Sequence, residues 1–549
     1  MDIIGIDLGT TNSVATVYTN EGLKHISFDG DFLLPSVVNV SNNGVIVGIK
    51  AKNMAMIAEE NTALSIKRMM GTKKQVVLNG EKFSPEEVSS FIIKKIKETA
   101  EKEMGITYNR CVVTVPAYFN ENQRDATTQA VKLAGLEVLR VINEPTAAAI
   151  SYGANRDEDM LYGVYDLGGG TFDISIIENS EGLIEVLSTT GDNHLGGDDF
   201  DKKLTNLIWE KSGFDIELSR KLEIKLHQLA EKTKIALSSE PSVHIDEKFF
   251  AKKDGEALHL EVEVSKEEFE ALIESDIDRT IDLLLETLED SNTDIDELEA
   301  IILTGGSSRI PSISHKILER TGKLAILIED PDKSVSIGAI LQGAMIEGID
   351  TDSILVDITP YSLGISTLKG EYSMELSFSK IILKNTPVPT TKTSRYYAVT
   401  EYQKAFEIDV YQGEDEENLE SNIKIGEMLL TIQNPVEDGA IDVDFKLNQD
   451  GMLSVVGREI HTNEIIEGTF KTKISKSTQH SKVKEMEILT EHDQTIIEKI
   501  DKVLENSTIL DEDKEDLKAL KDKFLSAVVD EKSSIEEEII DSIFFLEDI

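Results

Sequence analysis

Two stretches of this chain set an aspartate directly before a turn of glycines and threonines. The first is Asp7-Leu8-Gly9-Thr10-Thr11-Asn12-Ser13, and the second is Asp166-Leu167-Gly168-Gly169-Gly170-Thr171-Phe172-Asp173. Apolar, strand-like runs flank each turn. Glycine lets the backbone bend sharply and approach an anion closely. The exposed N–H groups and the threonine hydroxyls can then donate to phosphate oxygens. A carboxylate beside a polyphosphate is repelled unless a divalent cation lies between them, and two facing aspartates would organise Mg2+ through its water shell. One such turn alone reads as an ordinary glycine-rich hairpin. A second copy in the same chain moves the balance to phosphate binding. No G-x-x-x-x-G-K-[ST] motif occurs, which excludes a P-loop, and no G-x-G-x-x-G follows a strand, which disfavours a dinucleotide site.

A third segment, Leu303-Thr304-Gly305-Gly306-Ser307-Ser308-Arg309-Ile310-Pro311, runs from an apolar strand through two glycines into a helix start. That geometry can seat a nucleoside against backbone, with Arg309 stacking on a base. Taken alone it is a common strand–turn–helix junction. No Ser-His-Asp constellation or other covalent nucleophile is apparent. The nine histidines show no ligand-like clustering, so no zinc is expected.

These residues need a scaffold, and 549 residues are enough for several domains. Through residues 1–350, strand-like runs (112–115, 162–165, 300–303) alternate with amphipathic helical stretches (88–100, 222–237), the pattern of an α/β domain. The short apolar segment Ile354-Leu355-Val356 follows, between Asp352 and Asp357, in a connector spanning 351–359. Beyond it the period changes to two. Phe406, Ile408 and Val410 alternate with polar residues, as do Ile441, Val443, Phe445 and Leu447 before the turn Asp450-Gly451. This predicts an antiparallel β domain over 360–482. The tail, 483–549, carries three amphipathic stripes. They are Ile496, Ile500 and Val503 (with Thr490 as a cap), then Leu517, Leu520, Phe524 and Val528, then Ile535, Ile539 and Ile543. They predict a small bundle whose apolar faces cover one another.

Composition bounds the partners. Hydrophobic residues make up 40% and charged residues 29%, enough apolar material for sizeable cores. With 56 basic and 103 acidic residues the net charge is −47. Such a surface repels nucleic-acid phosphates and anionic lipid, so neither is expected as a partner. The lone cysteine, Cys111, lies in the apolar run Cys111-Val112-Val113 and reads as a buried strand residue. One cysteine fits a reducing compartment. The N-terminus opens on a strand rather than a basic-then-apolar leader, and no run of about 18 apolar residues occurs. A cytoplasmic location is expected.

In order along the chain, the motifs resemble those of the DnaK-type (seventy-kilodalton heat-shock) chaperones over nearly its whole length. They are Gly5-Ile6-Asp7-Leu8-Gly9-Thr10-Thr11-Asn12-Ser13, Val115-Pro116-Ala117-Tyr118-Phe119, Ile142-Asn143-Glu144-Pro145-Thr146-Ala147-Ala148-Ala149, the second turn, His194-Leu195-Gly196-Gly197-Asp198-Asp199-Phe200-Asp201, and the Gly305 segment. The short C-terminus and Asp357-Ile358-Thr359-Pro360-Tyr361-Ser362-Leu363-Gly364 are most similar to the short HscC branch. The resemblance implies an actin-like (ribonuclease H-like, duplicated) α/β ATPase domain, a β-sandwich that binds peptide, and a reduced helical lid. It implies ATP/ADP and Mg2+, with K+ as a further cation. Asp7, Asp166 and Asp173 would orient water around Mg2+. Lys67, Glu144 and Thr171 would join them in catalysis. Gly9, Thr10, Thr11, Asn12, Gly168, Gly169, Gly170, Gly196 and Gly197 would cradle the phosphates. Gly305, Gly306, Ser307, Arg309 and Asp332 would complete the nucleotide pocket. Glu231, Lys234 and Ser238 lie at i, i+3, i+7 on one helix face. The resemblance gives that face to adenosine, where the residues alone read as a solvated surface, as Lys67 alone reads as a surface lysine.

Hydrolysis would be in-line attack of water on the γ-phosphate, carried by positioning and electrostatics. The resemblance further implies that Pro116 and Arg124 relay nucleotide state. Ile354, Leu355, Val356 and Asp357 would couple the domains, the three apolar side chains gaining by burial in a cleft. A short strand is the plain alternative. Leu368 and Val399 would arch over a peptide. Phe406 stands where the family has a small aliphatic residue, which should shrink the peptide pocket. Extra residues around 372–379 and a tail of about 60 residues depart further from the family pattern, so a narrow client set is expected. The implied partners are client polypeptides, a J-domain co-chaperone and a nucleotide exchange factor, with the chain itself a monomer. A metabolite kinase or a filament-forming protein of the same actin-like fold would leave the appended β domain, connector and tail unexplained.

Overall fold

The structure is a computed structural model. It describes residues 1–56, 58–153, 159–180, 182–253, 256–349, 354–370, 375–469, 488, 491–504, 511–526, 535, 538–539 and 542. Two α/β lobes carry the glycine turns, and they repeat one design. In the first, strand Ile3–Asp7 pairs antiparallel with Asn12–Thr19 and parallel with Arg110–Val115. In the second, Met160–Leu167 pairs antiparallel with Phe172–Ser180 and parallel with Ala300–Thr304. Each turn therefore closes a hairpin at the centre of a sheet. The strands are buried on both faces, which is why they read as continuous Ile, Val and Leu rather than as an alternation. Cys111 is fully buried in one of them.

The lobes meet through small residues. Helix Glu144–Gly153 packs on helix Ser334–Ile346, and their alanines, Ala147, Ala148 and Ala339, share a core with Ile3, Val112, Val164 and Ile302. Sequence signals set the helix ends. The helix predicted over 88–100 spans Pro85–Met104, with a Ser84/Glu87 capping box at its start and Gly105 in the left-handed region at its end.

Past the lobes lies a sandwich of two four-stranded antiparallel sheets. In strand Ala405–Gln412 alternate residues are buried, and Phe406, Ile408 and Val410 join Val443, Phe445 and Val455 between the sheets. Each such side chain is worth about 1.5–3 kcal/mol on burial. In the tail, helices Glu491–Leu504 and Asp511–Ser526 pack through Ile496, Ile500, Val503, Leu517 and Phe524, joined by Ile535 and Ile539. The predicted cap Thr490 and stripe residues Val528 and Ile543 lie outside the described residues, as do Asp352 and residues 371–374. Ile497 also packs on Val37, Ile46 and Ala51 of the first lobe. None of the described helices is long and apolar enough to cross a membrane.

The connector is a strand. Ile354–Ile358 pairs in parallel with Leu183–Asp192 of the second lobe and antiparallel with Pro387–Val388 of the sandwich. The expectation that all three apolar side chains enter a cleft is corrected here. Pairing at a sheet edge turns alternate side chains outward, and Ile354 is 66% exposed. Leu355 packs on the core shared by the two lobes.

Candidate functional site

The two hairpin turns face each other across a cavity of about 370 Å³. Asp7, Gly9, Thr10, Thr11 and Asn12 line it from one lobe, and Asp166, Gly168, Gly169 and Thr171 from the other. The turns touch. A Cβ on Gly169 would stand 1.9 Å from the Thr11 hydroxyl, so only glycine fits that approach. Gly170 abuts Thr10 in the same way, and Gly196 abuts Gly169. Glu231, Lys234 and Ser238 line one further side, and Gly305, Gly306, Ser307, Arg309 and Asp332 another. Gly305 has φ 81, and a Cβ there would meet Asp166 Oδ1 at 2.5 Å. Arg309 donates to Asp332 at 2.6 Å from the edge of its guanidinium.

Charge concentrates at the floor. Lys67 Nζ donates to Glu144 Oε1 at 2.6 Å, both residues buried. The surface-lysine alternative for Lys67 therefore falls. Thr114 donates to Asp7 at 3.2 Å, and the Tyr118 amide donates to Asp173 at 3.1 Å. Asp166 and Asp173 are direct cross-strand partners. Burial, then the charge of Glu144, pushes Asp7 up to about 7 and Asp173 up to about 8. The same causes raise Asp166 well above the usual carboxylate range. With Lys67 as the cation among four acids, the floor favours a divalent cation. No three acidic or histidine side chains among the described residues converge to hold an ion directly. The carboxylates suit an ion such as Mg2+ that keeps its own water.

Asp198 lines the cavity, and further polar residues lie beyond its wall. Asp198 accepts from Thr11 at 3.0 Å and from Ser65 at 2.7 Å, and Asp199 from Arg68 at 2.5 Å. Lys52 reaches Glu231 at 2.6 Å. These contacts clasp the lobes together. The signal for Asp198, Asp199 and Asp201 was their place in the His194 motif. Nothing local marks Ser65, Arg68 or Lys52, whose partners lie more than a hundred residues away.

Away from the cavity, Arg124 is buried and donates to the carbonyls of Phe119 and Ala117 and to Asn143. Asn143 in turn donates to Asp357 at 3.0 Å. Pro116 is buried at the end of the Arg110–Val115 strand. This chain of contacts runs from the first lobe to the connector. On the sandwich, Tyr361 donates to the Tyr118 carbonyl at 3.0 Å, with the rings 4.4 Å apart. Leu368 is half-buried at a strand end, Val399 is exposed on a loop, and Phe406 is only 7% exposed in the sandwich core. A family model described as Hsp70 protein matches residues 3–77 and 72–544.

Proposed function

Because the chain belongs to the Hsp70 family, we propose that it hydrolyses ATP at the paired turns to drive binding and release of client polypeptides. Family members are ATPases that bind ATP or ADP with Mg2+ and engage client polypeptides and J-domain co-chaperones. The mixed α/β sheets fit an actin-like ATPase domain followed by a β-rich domain. The observation that carries the reading is the meeting of two like hairpins over a buried Lys67–Glu144 pair.

The turns bind the phosphates through backbone N–H groups and the hydroxyls of Thr10, Thr11 and Thr171. Asp7, Asp166 and Asp173 would hold Mg2+ through water, and the ion would neutralise charge on the β- and γ-phosphates. Lys67, held by Glu144, places a positive charge beside the transferred group, where charge develops in the transition state. Glu231, Lys234, Ser238, Arg309 and Asp332 bind the nucleoside end. The Arg124–Asn143–Asp357 contacts and the connector strand pass the state of this site to the sandwich.

The finer features belong to the same proposal. Residues 1–350 form the ATPase unit, 351–359 the connector, 360–482 the peptide unit and 483–549 a short lid, an organisation like that of the HscC branch. Phe406 fills space between the sheets, so the peptide pocket is narrow and the client set small. A cytoplasmic monomer, K+ as an added cation and an exchange-factor partner complete the reading. Release of a prebound fluorescent peptide on adding MgATP tests the coupling. A labelled peptide that stays bound would remove it, and labelled phosphate appearing on a small metabolite would favour a kinase instead.

A further inference from the structure

Asp201 is 2% exposed, yet it lines the cavity. It stands on helix Gly197–Ser212, one turn past the glycines that abut the second hairpin. Its Oδ2 accepts from Lys234 Nζ at 2.7 Å. The same ammonium donates to the Gly197 carbonyl at 3.1 Å. Gly197 N–H bonds to the Gly168 carbonyl at 3.0 Å, and Ser307 donates to that carbonyl at 2.9 Å. A lysine has three N–H donors. Two are used here, which leaves one for the cavity that Lys234 lines.

We propose that Asp201 is a positioning residue for the nucleotide, fixing the Lys234 ammonium against the second glycine turn so that its remaining N–H meets the ligand. This rests on the ATP-binding reading above. Two observations separate it from a plain structural ion pair. The lysine it holds opens on the cavity, and Asp201 Oδ1 is buried without a hydrogen-bond partner. An orphaned buried acceptor is costly, so this carboxylate is not arranged for stability alone. His227 and Glu231, on the helix that carries Lys234, are titratable groups that also act on it. Burial lifts its carboxyl to about 6 despite the adjacent ammonium, as expected where a charge is kept for more than stability.

The test uses the full chain and steady-state hydrolysis of MgATP. Asp201→Asn keeps shape and removes the charge. It should raise KM about tenfold while kcat stays within about twofold. In a Lys234→Gln background the same change should move KM by less than about twofold, since its target is gone. Asp201→Glu, which restores the charge, should recover part of the loss, and it replaces Asp201→Asn if melting curves show that variant unfolded. Equal KM effects in both backgrounds, or a fall in kcat at unchanged KM, would overturn the proposal. If the wild type binds MgATP and Asp201→Asn is neutral, only this inference fails. If the wild type does not bind MgATP, the ATPase reading fails with it.

Discussion

The two glycine hairpins look alike in sequence but differ in what stands across the strand from each aspartate. In the first, Asp7 lies opposite Val14. In the second, Asp166 lies opposite Asp173. Like charges directly opposite on paired strands are destabilising, and here burial adds to the cost. The first hairpin is a turn with one acid at its rim. The second stores repulsion that a cation would relieve. The duplicated scaffold is thus uneven in charge: one copy carries a single carboxylate, the other a facing pair.

Removing the positive charge that both hairpins face should have the largest effect. Lys67→Ala leaves Glu144 buried among three aspartates, and kcat for ATP should fall about 10²–10³-fold in single-turnover assays. If turnover survives within threefold, the floor is not where charge develops. Next comes the contact between the turns. Gly169→Ala places a methyl group against Thr11. It should weaken MgATP binding by about tenfold in calorimetry, a penalty of about 1.4 kcal/mol. Unchanged affinity would mean the turns need not touch.

The third prediction separates the hairpins by pH. A carboxyl raised in the folded state gives stability that is present below its unfolded value and lost as pH rises through the folded one. For Asp173 the window runs from 3.8 to about 8, and for Asp7 from 3.8 to about 7. The melting temperature of nucleotide-free Asp173→Asn, relative to wild type, should therefore keep rising between pH 7 and 8. That of Asp7→Asn should level off near 7. Matching profiles would erase the distinction drawn between the two turns. The smallest effect lies outside both hairpins. Glu121 is buried where the first lobe meets the sandwich, accepting weakly from the Leu453 amide at 3.4 Å, and burial lifts it from 4.5 to about 7. Contact between the units should weaken as pH rises through that window, and Glu121→Gln should flatten the dependence in a proximity-fluorescence assay across the junction. A slope that survives the substitution would assign the titration elsewhere.

Much of this was legible in the sequence because it is local. The turns, the strands that flank them and the period-two strands of the sandwich are written in neighbouring residues, and the structure places Phe406, Ile408 and Val410 on one inward face. The cavity was legible wherever a motif repeated or resembled a family pattern. What stayed hidden is set by partners far along the chain. Nothing beside Lys52 or Arg68 in the chain announces the Glu231 and Asp199 that the fold brings to them. The connector read as apolar side chains seeking a cleft, but pairing at a sheet edge depends on the free backbone of Leu183–Asp192, which no side-chain pattern announces.

That connector strand has a consequence for measurement. It adds a row to one seven-stranded sheet whose last member, Pro387–Val388, belongs to the sandwich. Any separation of the two units must strip hydrogen bonds from the backbone itself, not merely slide one surface over another. Amide hydrogen exchange along Ile354–Ile358 would then act as a clock, its protection lasting only as long as the seam stays closed.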